Sequence, residues 1–238
     1  MSKPKFKTIA FDADDTLWVN ETFFSDIESK FVAMIRPYAK GDTDTIKKRL
    51  FETEMRNLSL FGYGAKGFTL SLVETAIELS EGQIPATGIQ QLLDYGKDLI
   101  QHPIHLLEGA EETIKSLSEH YKLMVITKGD LFHQEDKLAR SGLADLFDYL
   151  EIVSEKDEAT YKRVYARYDL DPAETLMVGN SLKSDVIPIL DIGGHAVHIP
   201  FHTTWAHEKV SDSKQAKYQY ATLKSLNELE QWLEEHGA

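Results

Sequence analysis

From residue 104 onward the chain repeats one pattern: a short apolar run, a polar break, then a stretch with helical spacing. The runs are YKLMVIT at 121–127, YLEIV at 149–153, TLMVG at 175–179 and HAVHI at 195–199. The stretches between them predict helices over 109–120, 131–140, 157–168 and 184–191. Strands that alternate with helices join into a parallel sheet through crossover connections, with helices on both faces. The runs are apolar at successive positions, as expected of strands buried on both sides. A further strand is predicted near the start, over 6–12. A C-terminal helix is predicted over 223–235, burying Leu223, Leu226, Leu229 and Leu233. The fold class is therefore α/β, a doubly wound parallel sheet.

The first strand is separated from the second by a long stretch of different character. Residues 22–36 carry Phe24, Ile27, Phe31 and Ile35, a spacing of three and four that predicts an amphipathic helix stopped by Pro37. A second helix starts at the caps Asp42 and Thr43 and runs to about residue 57. The glycine-punctuated loop LFGYGAKGF leads to two more helices, over 68–80 and 86–101. The predicted organisation is an α/β core of residues 1–19 and 104–238, interrupted by an all-helical insertion over 20–103.

Charge and composition narrow the partners. Lys plus Arg number 26 and Asp plus Glu 39, a net charge of −13. Such a chain repels a nucleic-acid backbone, and its densest basic run, IKKRL at 46–50, is short. There is no cysteine, so disulfides, thiolate nucleophiles and Cys-ligated zinc are excluded together. No window approaches the apolar length of a membrane span, and MSKPKFKTIAFD lacks the apolar core of a secretory signal. The expectation is a soluble cytoplasmic protein with a small-molecule substrate.

Ligands of open parallel sheets bind beyond the carboxyl ends of the strands. Past the first strand stand Asp12, Asp14, Asp15 and Thr16. Past the second stand Thr127, Lys128, Gly129 and Asp130, and past the third Lys156. Past the fourth come Asn180, Ser181 and Asp185, and past the fifth His202 and His207. This set suits phosphoryl transfer. Carboxylates from different loops can hold Mg²⁺, a hard cation that takes oxygen ligands. A remaining carboxylate can attack phosphorus, and a second can move the proton. A lysine and a hydroxyl can neutralise and orient the phosphoryl oxygens.

Four segments in order, FDADDTLW, VITKGD, SEKDEATYKRV and VGNSLKSD, resemble the four motifs of the haloacid dehalogenase-like (HAD) superfamily of hydrolases. The resemblance spans about 1–19 and 104–200. It implies a Rossmann-like core and a Mg²⁺-dependent phosphatase that hydrolyses a small phosphomonoester through an aspartyl-phosphate. Asp12 resembles the nucleophile and a metal ligand. Asp14 resembles the general acid/base, with its backbone carbonyl on the metal. Thr127 and Lys156 resemble the phosphate-binding hydroxyl and lysine, and Asp185 the acidic metal ligand. Thr16 is expected to brace the first loop, and Asp15 to turn its backbone amide toward phosphate while its side chain is structural. The insertion resembles a helical cap, whose Tyr63 and Lys66 either meet the leaving group or merely join two helices.

Two positions depart from the family pattern. Asn180 stands where the fourth motif opens with Asp, which removes one negative charge. Lys128 stands where Asn is frequent after the second-motif Thr; it either adds a cation near the phosphate or points into solvent. The spacing of His198, His202 and His207 matches no helical zinc pair, so they read as loop and core histidines. Within the superfamily the rival readings are a 2-haloacid dehalogenase, which lacks the second acidic residue, and a phosphomutase. Outside enzymes, the rival is a binding protein that keeps the fold.

Overall fold

The computed structural model describes residues 5–236. The chain divides into two compact units. One comprises the chain up to Glu21, Ile104–Lys128 and everything from Gln134; the other comprises Thr22–Pro103 and Gly129–His133. The predicted core extended to residues 1–4 and 237–238, which lie outside the described residues.

The first unit is built on a parallel sheet of six strands: β1 (Thr8–Phe11), β2 (Lys122–Lys128), β3 (Tyr149–Val153), β4 (Thr175–Gly179), β5 (His195–His198) and β6 (Ala221–Thr222). Their order is β3-β2-β1-β4-β5-β6. β1 is central, with Thr8 in register with both Lys122 and Thr175. Alternate residues feed two separate cores, as the two-residue period of a strand requires. Ile9, Phe11, Leu123, Val125, Leu176 and Val178 join one apolar cluster with Ile114, Leu226, Leu229 and Leu233. Ala10, Met124, Ile126 and Met177 join another with Tyr161, Tyr165 and Ile189. The first face is covered by α5 (Ala110–Ser118) and α10 (Leu229–His236), the second by α7 (Glu158–Arg167) and α8 (Ile187–Asp191). Helix α6 (Leu131–Ser141) follows β2, and the short α9 (Asp212–Gln215) precedes β6.

The chain leaves and re-enters this unit through paired segments. Trp18 bridges Leu106 in antiparallel fashion, the Val19 amide donates to the His105 carbonyl at 3.0 Å, and the Leu107 amide donates to the Leu17 carbonyl at 2.9 Å. Trp18 is fully buried here, which anchors the turn that follows β1.

The second unit holds four helices: α1 (Glu21–Ile35), α2 (Thr43–Phe61), α3 (Ala65–Leu79) and α4 (Ala86–Gln101). Asp42 caps α2, its side chain accepting from the Thr45 amide. Ile27, Phe31, Ile35, Ile46, Leu50, Leu72, Leu92 and Leu99 form the core. No helix among the described residues is long and apolar enough to cross a membrane.

The structure corrects three sequence expectations. The glycine loop is shorter than LFGYGAKGF, because α2 runs to Phe61 and α3 begins at Ala65. Gly62, at φ 73°, makes the reversal. The C-terminal helix does not begin at residue 223: Ala221–Thr222 extend the sheet beside β5, and the helix starts only at Leu229. Leucine spacing alone did not separate a short edge strand and its turn from the helix they lead into. Last, the segment predicted as one helix over 184–191 opens with a π-helical turn, Leu182–Val186, before α8.

Phe31 is completely buried among α1–α4. Phe31→Ala is expected to cost about 3–5 kcal/mol, read as a lowered urea midpoint at unchanged m-value.

Candidate active site

The first unit brings three strand ends to one buried ionic centre. Asp12 follows β1 directly. Lys156 follows β3 and precedes α7, which Asp157 caps by accepting from the Thr160 amide. Asp185 lies in the π-helical turn after β4, and its Oδ2 accepts from the Ser181 amide at 2.9 Å. The Lys156 ammonium donates to Asp12 Oδ1 at 2.5 Å and to Asp185 Oδ1 at 2.6 Å. Its side chain is 1% exposed, as is that of Asp185, and that of Asp12 is 10% exposed. Lys162 on α7, by contrast, has a side chain 62% exposed that pairs with Glu158.

Thr16 Oγ1 donates to Asp12 Oδ2 at 3.0 Å and lies 3.4 Å from Asn180 Oδ1. The expected brace of the first loop is thus a direct bond to the carboxylate. Asn180 is fixed by His198, whose Nε2 lies 3.0 Å from the Asn180 carbonyl oxygen. Burial is the strongest influence on Asp12 and pushes its carboxyl above the ordinary range; Asp185 acts in the same direction and Lys156 opposes both. Burial would lower Lys156, but the two carboxylates around it hold its pKa above the ordinary lysine value.

Asp14 faces a different set. Its Oδ1 accepts from Lys137 Nζ at 2.5 Å and from Trp18 Nε1 at 2.7 Å; its Oδ2 accepts from Gln134 Nε2 at 3.2 Å. Burial works against its charge, yet Lys137 and these donors together hold its pKa below the ordinary carboxylate value. Asp15 departs from expectation. Its amide does not turn toward a ligand but donates to the Trp18 carbonyl at 2.7 Å. The reason is its left-handed backbone, φ 63°, which folds the loop back on itself. Its side chain is structural, accepting from the amides of Asn20 at 2.8 Å and Glu21 at 3.0 Å at the start of α1.

Thr127 is 2% exposed at the end of β2, and its Oγ1 accepts from Gln134 Nε2 at 2.7 Å. Lys128 does not point into solvent. Its side chain is 14% exposed, and its ammonium donates to Glu208 Oε1 at 2.5 Å and to Ser184 Oγ at 3.0 Å. Ser181 and Ser184 hydroxyls donate to Glu208 Oε2. Although burial opposes it, this company lowers the Glu208 pKa to about 2. His207 lies beside Lys183, Nε2 to Nζ 2.9 Å, and His202 lies in the same loop after β5. Tyr63 and Lys66 belong to the second unit, where Lys66 Nζ pairs with Asp130 at 2.8 Å.

The donors at the centre are carboxylate and amide oxygens, the chemistry a hard divalent cation takes. Two buried carboxylates share one ammonium, so the centre retains a net negative charge that such a cation would offset. The side chains of Asp12, Asp14 and Asp185 do not converge, however. Asp14 is drawn to Lys137, and among the described residues no three His, Asp or Glu groups gather as a metal cluster. The side-chain set is Asp12 with Asp185, which suits a cation that keeps several of its own waters.

A family model for haloacid dehalogenase-like hydrolases matches residues 6–193. The chain belongs to this family. A haloacid dehalogenase-like family hydrolase from Xanthomonas campestris superposes with a TM-score of 0.86 at 37% identity, covering 99% of this chain and 93% of that one. Pyrimidine 5'-nucleotidase YjjG of Escherichia coli is 25% identical, covering 98% of this chain and all of that protein. A glyceraldehyde 3-phosphate phosphatase of Pyrococcus furiosus is 27% identical over 79% of this chain and 78% of its own.

Sequence reasoning on this HAD-like chain missed Gln134, Lys137 and Glu208. The signal for the first two was present: they stand three apart on α6 and, with Leu138, fall on the inward face of a helix that follows a motif strand. All three are buried or nearly so. Glu208 carried no such signal, since its loop has no period.

Gly179 also has a steric role. A Cβ there would collide with the Asp185 carboxylate. Gly179→Ala is expected to lower stability by about 1–3 kcal/mol in thermal unfolding, because Asp185 must move. Glu208→Gln is expected to cost about 2 kcal/mol at pH 7, since it removes the nearer charge partner of Lys128 and leaves Glu155 at 3.5 Å. The folded pKa of Glu208 lies below its ordinary 4.5, so its stabilisation is present above that value and lost as pH falls toward about 2. The gap between variant and wild type should therefore narrow over that window in urea titrations.

Proposed function

We propose that the protein is a phosphatase that hydrolyses a small phosphomonoester through an aspartyl-phosphate at Asp12. The observation that carries this reading is the Lys156 ammonium held between Asp12 and Asp185 at the strand ends. It sets a carboxylate nucleophile beside a buried cation that can neutralise a phosphoryl oxygen. The relatives named as a nucleotidase and a phosphatase support the same substrate class.

In the first step an Asp12 carboxylate oxygen attacks phosphorus. The ester P–O bond breaks, and its electron pair leaves on the alcohol oxygen, which takes the proton that Asp14 gained from water in the preceding turnover. In the second step water attacks phosphorus, the P–O bond to Asp12 breaks with its pair returning to the carboxylate, and Asp14 takes the water's proton. The ionised form in which Lys137 and Trp18 hold Asp14 is the form the second step needs. Lys156 and the Thr127 hydroxyl stabilise the charge on the transferring group. Mg²⁺, held by Asp12, Asp185 and the backbone carbonyl of Asp14, would supply further positive charge to the phosphoryl oxygens. Asn180 leaves that set one carboxylate poorer. The helical unit, which carries Tyr63 and Lys66, is the part of the chain we assign to substrate selection.

A dehalogenase uses its first carboxylate without a second acid, so the elaborate fixing of Asp14 favours phosphatase chemistry over that rival. A phosphomutase would retain the phosphoryl group, and a binding protein would not turn over. One assay separates the phosphatase from the other three. The wild type is expected to release inorganic phosphate from p-nitrophenyl phosphate with Mg²⁺, to lose that activity in EDTA and to regain it on Mg²⁺ addition. Asp12→Asn should remove at least about 10³-fold of the rate with the fold intact by circular dichroism. Absence of phosphate release with any divalent metal would sink the reading.

A further inference from the structure

Helix α6 presents two buried polar side chains to the site from its first turns. Lys137 is 5% exposed and Gln134 is 3% exposed. A lysine sheathed in protein needs a partner, and Lys137 has Asp14 Oδ1 at 2.5 Å and Asn20 Oδ1 at 3.2 Å. Trp18 Nε1 meets the same Asp14 oxygen from the opposite side of the chain's first turn. Gln134 reaches both strand ends at once: the two N–H groups of its Nε2 are shared among Thr127 Oγ1 at 2.7 Å, the Lys128 carbonyl at 2.9 Å and, more weakly, Asp14 Oδ2 at 3.2 Å.

The direction of these bonds has a chemical consequence. An amide NH₂ can only donate, so Thr127 Oγ1 must accept from Gln134. The single hydroxyl hydrogen then points elsewhere. In this structure its protein acceptor is the Lys128 carbonyl at 3.3 Å, a long contact that a phosphoryl oxygen can displace. Gln134 thereby fixes Thr127 as a donor. Lys137 in turn fixes the rotamer of Asp14, since a carboxylate gripped by an ammonium and an indole N–H on one oxygen has little freedom to turn.

We infer that Lys137 and Gln134 are positioning residues: Lys137 holds Asp14 in the orientation that accepts the proton of the attacking water, and Gln134 orients the Thr127 hydroxyl toward the transferring phosphoryl group. The inference rests on the phosphatase reading. It also makes the two chemical steps separable. With p-nitrophenyl phosphate the leaving oxygen needs no proton, so Asp12 is phosphorylated without help from Asp14. Hydrolysis of the aspartyl-phosphate still needs Asp14 as base.

The test compares wild type with Lys137→Met by stopped flow on p-nitrophenyl phosphate with Mg²⁺. The variant should lose about 10²-fold of its steady-state rate, the ordinary worth of a positioned base. It should also show a burst of p-nitrophenolate approaching one equivalent per site, as the phosphorylated enzyme accumulates. A merely structural lysine would lower the burst along with the rate; that result, or a steady-state rate equal to wild type, overturns the assignment. Gln134→Leu should raise the inhibition constant of inorganic phosphate about tenfold, the loss of one oriented hydrogen bond, and an unchanged constant removes Gln134 from the proposal. A second measurement needs no turnover. The three tryptophans give three indole resonances in a ¹⁵N spectrum, and Asp14→Asn identifies that of Trp18, whose indole N–H donates to Asp14. Lys137→Met should shift this resonance, and an unmoved Trp18 signal refutes the positioning of Asp14. Failure of the wild type to release phosphate would instead strike the phosphatase reading, with the resonance test still standing.

Discussion

One buried ammonium organises the catalytic end of this sheet. Lys156 sits between Asp12 and Asp185, two carboxylates that would otherwise repel one another out of reach of water. A buried ion triad contributes little net stability compared with an apolar core, but removing one member leaves uncompensated charge and is costly. The geometry of the sheet explains why the cation is a lysine. β3 lies two strand spacings from β1, about 10 Å, so the side chain that crosses the end of β2 to reach Asp12 must be long. Asp185 arrives from β4 on the other side, and Gly179 clears the space it occupies.

Around this centre both residues that depart from the family pattern have defined partners. Lys128 adds no free charge to the centre, because Glu208 takes its ammonium and two serine hydroxyls complete the carboxylate's bonds. That pairing ties the loop after β5 to the ends of β2 and β4. Asn180 is turned toward Thr16 and thus toward Asp12, and His198 holds its carbonyl. The missing carboxylate of the fourth motif is therefore not replaced by Glu208, whose oxygens are committed elsewhere. Such a site should depend heavily on Asp12 and Asp185 for any cation.

The three acids that crowd the tip of β1 also separate by partner. Asp12 belongs to the Lys156 centre, Asp14 to Lys137 and Trp18, and Asp15 to the amides that open α1. The crowding is tolerated because each carboxylate has its own donors. The chain supplies a different element for each: β3, then α6, then the start of α1.

Most of the fold was legible in the sequence, because its determinants are local. Apolar runs bounded by turns gave five of the six strands, and three-and-four spacing gave the four helices of the insertion. The two-residue β6 escaped, since a strand that short has no period of its own. The strand-end residues Asp12, Thr127, Lys156 and Asp185 were legible too, because a parallel sheet brings successive strand ends to one edge whatever the loops do. What the sequence alone left open was who pairs with whom. Lys128 meets Glu208 from 80 residues away, and Asp14 meets Lys137 across 123. Those partners are decided by side-chain distances of a few ångströms between elements remote in the chain, and only the tertiary structure sets such distances.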